Sequence, residues 1–244
     1  VRDVIDRLSR VAPRLADPAT ARSAIVSIPG VAAAIDHDRR AGLLSQWGRS
    51  TVVDENTGAP VLPRAAVVAL HELAGETSDG EIGNAGLLHV YGYLFSAEPT
   101  PYGAKRERWT GGGVARALGI APSRLLPWTA ADTTPLATLT ALLPALLTQP
   151  PDGSLLIDER GEGVAVRTVL FTGRAGSAVA YAVGASAETR RLVTIFPVDD
   201  PVGIQRRLLD DPPRIRYNAV PPSGQLGQAL IARTVTRHAV GGET

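Results

Sequence analysis

His89, Tyr91 and Tyr93, followed by Tyr102, Lys105, Arg106 and Arg108, form the densest run of reactive side chains in the sequence. An imidazole moves protons near neutral pH, and phenols orient or protonate a polar substrate. Arginine forks hold a carboxylate or phosphate through paired hydrogen bonds, so "AKRERW" suits an anion clamp. The expected division of labour makes His89 the general acid or base, helped by Tyr91 or Tyr93. Lys105, Arg106, Arg108 and the adjoining Tyr102 would bind an anionic substrate. Geometry limits this clamp: if "AKRERW" is helical, Arg106 and Arg108 diverge by roughly 200° and only one faces the site.

A second group lies upstream in "HELAGETSDGEIGN". His71, Glu72 and Glu76 fall on an expected helix, where the two glutamates share a face at four-residue spacing. Either carboxylate is expected to orient His89 or share its proton transfer, and His71 to contact the substrate. The glutamates with His89 also make an alternative zinc, manganese or iron set. "HELAGE" lacks the second histidine of H-E-x-x-H, however, so no metal is expected. "TGGGVARALG" matches neither a Walker loop nor a dinucleotide fingerprint and is expected to be a turn entering a helix. No G-x-S-x-G elbow supports a serine hydrolase. Near the C-terminus, Arg190, Arg191, Arg214 and Arg216 offer an RNA-facing surface, with Arg214 and Arg216 on one strand face. Asp199, Asp200, Asp210 and Asp211 oppose that field.

The elements that must position these groups follow from patterning. Val4, Ile5, Leu8, Val11 and Leu15 recur at helical spacing, with Pro13 ending or kinking the helix. Further helices are expected over "GVAAAIDHDRRAGLLSQWG" and from Pro63 through "ALHELAGE". "GLLHVYGYLFS" alternates with aromatic enrichment and predicts a strand at 86–96, aiming His89, Tyr91 and Tyr93 at one side. "TTPLATLTALLPALL" predicts another helix. After "TQPPDGS" the texture becomes short β-like runs joined by "GEG", "GRAG" and "SAET", an antiparallel meander. "VGIQRRLLDD" adds a helix, "RIRYNAV" a strand, and "GQLGQALIARTVTRH" a last helix or strand. The fold class is therefore α+β. A mainly helical region 1–149 precedes a β-rich region 150–244, either as two domains or as one.

Composition sets the outer bounds. Hydrophobic residues make up 44% and charged residues 20%, ordinary values for a globular protein. A net charge of +1 gives no general attraction to nucleic acid or anionic membrane. Without cysteine there is no disulfide, no thiolate catalysis and no sulfur-ligated metal. The amphipathic start lacks the apolar core of a signal peptide, and the longest apolar stretch is too short to span a bilayer. A soluble cytoplasmic protein is expected, with the Ala-, Arg-, Gly- and Pro-rich texture of GC-rich bacterial genomes. The function these residues favour is that of a cofactor-independent enzyme acting on a small anionic metabolite. Its substrate would be a carboxylate, amino-acid-derived, and its chemistry acid/base: elimination, deamination or isomerisation, as in lyases and deaminases. Homo-oligomerisation stays open, and nucleic acid and membrane are not expected partners. Two alternatives are a protein-interaction module using the aromatic segment and an RNA-binding or RNA-cleaving protein using the C-terminal sheet.

Overall fold

A computed structural model of the chain describes residues 2–100, 103–129, 132–224 and 230–238. The N-terminal half begins with helix α1 (Arg2–Val11), which buries Leu8 and Val11 and gives way at Pro13 to a 3-10 turn, Ala12–Leu15. Helix α2 (Pro18–Val26) starts where Asp17 accepts the Ala19 amide at 2.9 Å, with Pro18 at its first position. Helix α3 (Val31–Arg40) and a 3-10 turn (Leu43–Gln46) lead into strand β1 (Arg49–Thr51). Helix α4 (Arg64–Leu73) follows Pro63 and precedes strand β2 (Ile82–Asn84).

The segment expected to be an aromatic strand is helical. Leu87–Tyr91 forms a π-helical turn and Gly92–Phe95 continues it as a 3-10 turn. Its alternation misled because it was not one of buried and exposed positions: every residue from Leu87 to Phe95 is buried. Gly92 permits this burial, since a Cβ there would stand 2.6 Å from the Leu62 side chain. The short strands β3 (Pro99–Thr100) and β4 (Gly103–Ala104) pair antiparallel, and helix α5 (Glu107–Thr110) follows. Helices α6 (Gly113–Leu118) and α7 (Pro135–Thr148) complete the half, and Thr134 caps α7 through the Ala137 amide.

In the C-terminal half, β5 (Leu155–Gly161), β6 (Val164–Gly173), β7 (Gly176–Gly184) and β8 (Arg191–Val198) make the expected antiparallel meander. Helix α8 (Pro201–Asp210) and strand β9 (Ala219–Val220) come next. The last segment is a strand, β10 (Leu230–Arg237), which joins β5 to give the sheet order β10-β5-β6-β7-β8. The central strands are buried on both faces, which explains their nearly continuous apolar runs. One face joins a core shared with the helices and the 87–95 segment. The other packs Leu170 and Val179 with Leu208 of α8.

"RIRYNAV" is a strand only at Ala219–Val220; the residues before it form an irregular passage and a turn. Arg214 and Arg216 consequently share no strand face. β9 joins β1, and β1 joins β2, in a small antiparallel sheet that ties the C-terminal half to the N-terminal one. Among the described residues no single helix is long and apolar enough to cross a membrane.

Candidate functional site

Where the 87–95 segment, the turn entering α5, strand β8 and the chain before β9 meet, they enclose a cavity of about 200 Å³. His89, Tyr93, Lys105 and Arg108 all line it, with Glu55 and Tyr217 at other points of the wall. The helical conformation of the first segment accounts for two of these. Residues four apart on so wide a turn lie nearly above one another, and the His89 and Tyr93 rings stack at 4.6 Å with 24° between their planes. Tyr91 points away from them. Its hydroxyl donates a short hydrogen bond to buried Asp38, whose other oxygen accepts Thr134. Burial, reinforced by Asp38, pushes the Tyr91 phenol far above its ordinary value, so it serves as a neutral structural donor.

His89 sits deeper than the proton carrier expected of it. Its Nε2 lies 2.8 Å from the Ser50 hydroxyl, and Trp109 Nε1 donates to its carbonyl at 2.8 Å. Nδ1 is shielded from solvent and, among the described residues, has no hydrogen-bond partner of good geometry, although the Val193 backbone lies near enough to favour the charged ring slightly. Burial, followed by the Arg108 and Lys105 charges, holds the imidazole well below its ordinary pKa and so neutral. The ring is a wall that supports Tyr93. Tyr93 in turn accepts Asn218 Nδ2 at 3.1 Å on its hydroxyl, and burial outweighs Arg108 to push that phenol up to about 12.

The turn at 105–108 separates the three cations. Lys105 and Arg108, three apart, face the cavity, while Arg106 turns away from it to the Leu94 carbonyl (2.7 Å) and the Ser9 hydroxyl (3.2 Å). Arg106 is therefore not part of the clamp. Arg108 lies between two rings, 5.1 Å from the Tyr93 centroid and 5.3 Å from that of Phe196. One of its nitrogens donates to Thr194 Oγ1 at 3.2 Å, and no carboxylate lies within 4 Å among the described residues. Four other inward-turned arginines are ion-paired, two to each carboxylate: Arg167 and Arg190 on Asp158, Arg216 and Arg233 on Glu159.

Lys105 is 6% exposed and forms an ion pair with Asp54, which is wholly buried. The other Asp54 oxygen accepts the amides of Asn56 and Thr57 at 2.9 and 3.0 Å. Burial raises the Asp54 carboxyl, but Lys105 and those amides outweigh it and keep the group below its ordinary value. Burial, with Arg108 adding like-charge repulsion, pulls Lys105 from 10.5 down to about 8 against the pull of Asp54.

The remaining expected residues lie elsewhere. His71 is a structural link: Nδ1–H donates to the Val67 carbonyl at 2.8 Å and Nε2 accepts the Asn84 amide at 2.9 Å. Glu72 is exposed on α4, Glu76 follows that helix, and neither lines the cavity with His89. Among the described residues no group of three or more His, Asp or Glu converges as a metal site. Tyr102 falls outside the described residues. Arg190 and Arg216 point inward to carboxylates and Arg214 approaches Glu55, so these arginines make no continuous outward stripe.

No motif in the sequence marks Glu55, Asp54 or the Tyr217–Asn218 pair as part of this cavity. The pair has φ of 62° and 64°, a left-handed conformation uncommon outside glycine, and both residues line the cavity. A plainer signal was also available: Lys105 is the only lysine among the 25 Lys and Arg of the chain. Comparison with family models, curated proteins and solved structures finds no match to this chain.

Proposed function

We propose that this cavity is the active site of an enzyme that needs no resident cofactor and moves a proton on a small carboxylate-bearing metabolite. The observation that carries the reading is Arg108, a half-buried guanidinium held between two rings that, among the described residues, donates one hydrogen bond to Thr194 and has no carboxylate within 4 Å. Leaving such a charge unpaired is costly, and a substrate carboxylate would offset that cost. Lys105, with a pKa of about 8, exchanges protons close to physiological pH, and Tyr93, held neutral, can donate one. Arg108 would stabilise enolate-like charge as a proton leaves the carbon beside the carboxylate. Elimination, deamination and isomerisation share that step, and a cavity of about 200 Å³ suits an amino-acid-sized acid.

The test is a thermal-shift series with short carboxylates, phosphates and neutral amides. Carboxylates at about a hundred times their Kd should stabilise the protein by roughly 2.7 kcal/mol. Arg108→Gln should abolish the shift without altering the unliganded transition by more than a few degrees. Stabilisation that survives Arg108→Gln, or that neutral amides reproduce, would sink the proposal.

A further inference from the structure

We infer that Lys105 is a covalent catalyst, forming an imine with a carboxylic acid that carries a carbonyl on the adjoining carbon, a 2-oxo acid. This rests on the reading of the cavity as a carboxylate site and names the substrate class for it.

The first ground is the residue's singularity. Wherever this chain needs a cation to be buried in an ion pair, it uses arginine: Arg167 and Arg190 against Asp158, and Arg216 and Arg233 against Glu159. Lys105 breaks that usage once, and the break falls on the cavity wall. What lysine offers that arginine does not is an amine that loses its proton and becomes a nucleophile. The second ground is its surroundings. Its Nζ touches one carboxylate oxygen of Asp54 and stands 5.3 Å from the Tyr93 ring centroid, with two N–H groups left over. Arg108 follows three residues later on the same face, so a carboxylate on its guanidinium brings the neighbouring carbon toward the amine. Desolvation and the like charge of Arg108 favour the free amine.

The step balances with the groups present and solvent water. Solvent water takes one proton from the ammonium, and the freed lone pair attacks the carbonyl carbon, forming the C–N bond. The carbonyl π pair moves to oxygen, which receives one hydrogen from nitrogen. A second proton, returned by solvent, reaches that oxygen, which leaves as water, while the Asp54 carboxylate stays ionised beside the developing iminium. The iminium keeps the third hydrogen and draws electrons from the carbon beyond it, whose proton then becomes acidic. A carboxylate of the cavity wall, such as Glu55, would accept that proton.

The experiment is borohydride trapping with pyruvate as probe and lactate, which lacks the carbonyl, as control. Intact mass and peptide mapping should show pyruvate, less water and plus two hydrogens, on Lys105. Lys105→Arg should remove that adduct, Arg108→Gln should lower its yield about tenfold, and excess lactate should compete. Wild-type protein alone decides the matter, since Lys105 is the only side-chain amine. An adduct confined to the terminal amine, or none although pyruvate and lactate both stabilise the protein, overturns the imine and leaves the carboxylate site standing. No adduct and no stabilisation by either acid overturns both.

Discussion

At the scale of single residues, the cavity separates groups that carry charge from groups that only shape it. Lys105 titrates at about 8 in the folded chain and near 10.5 when unfolded. Between those values the unfolded chain binds more protons, so this residue's contribution to stability rises with pH across that window. Comparing denaturation midpoints of wild type and Lys105→Met from pH 7 to 10 should show a steeper rise in the wild type. His89 behaves in the opposite region. Its depressed pKa means that stability is lost as pH falls below 6.5, because the unfolded imidazole takes up a proton that the folded one refuses. Its NMR resonances should stay at the neutral position at pH 5.5, and movement there would contradict the buried ring described above. Tyr91→Phe should cost about 1–3 kcal/mol by leaving Asp38 short of a donor, with ligand binding unchanged in calorimetry. The sequence suggested acid/base chemistry at His89 and Tyr93 and an anion clamp at Lys105 and Arg108, and all four side chains line the cavity. It could not separate Tyr91 from Tyr93, because that depended on a helical period the alternation concealed.

At the scale of elements, the antiparallel meander was legible because β6 and β7 are buried on both faces and bounded by turns. The 87–95 segment was not, since burial on every side erases the contrast between faces on which periodicity depends. The Tyr217–Asn218 turn was hidden for a different reason: "RIRYN" alternates as a strand would, yet tertiary contacts override that tendency. Glu55 accepts the Tyr217 amide at 2.7 Å, Ser50 and Thr51 donate to the Asn218 carbonyl, and Tyr217 packs edge-on against Tyr181 at 5.0 Å. Asn218→Gly and Asn218→Ala both remove the bond to Tyr93, but only alanine adds the steric cost of positive φ. Alanine should therefore be the less stable by about 1 kcal/mol in urea denaturation. Equal stabilities would mean that the left-handed backbone costs nothing here.

At the scale of the whole molecule, buried Glu159 connects pieces far apart in sequence. It receives Arg216 from the passage before β9 at 3.1 Å and Arg233 from β10 at 2.7 Å. Glu159→Gln should cost about 3–5 kcal/mol by leaving buried guanidinium uncompensated, measured by denaturation. Because Arg216 immediately precedes Tyr217, carboxylate affinity should fall in the same variant. The joining of the halves through β9, β1 and β2 could not be foreseen, for it rests on short pairings of two or three residues. The solitary buried lysine has one more consequence. A protease that cuts only after lysine finds a single scission point in the chain, and the folded cavity wall withholds it. Its rate of attack would therefore count openings of that wall, and an occupied cavity should be cut more slowly.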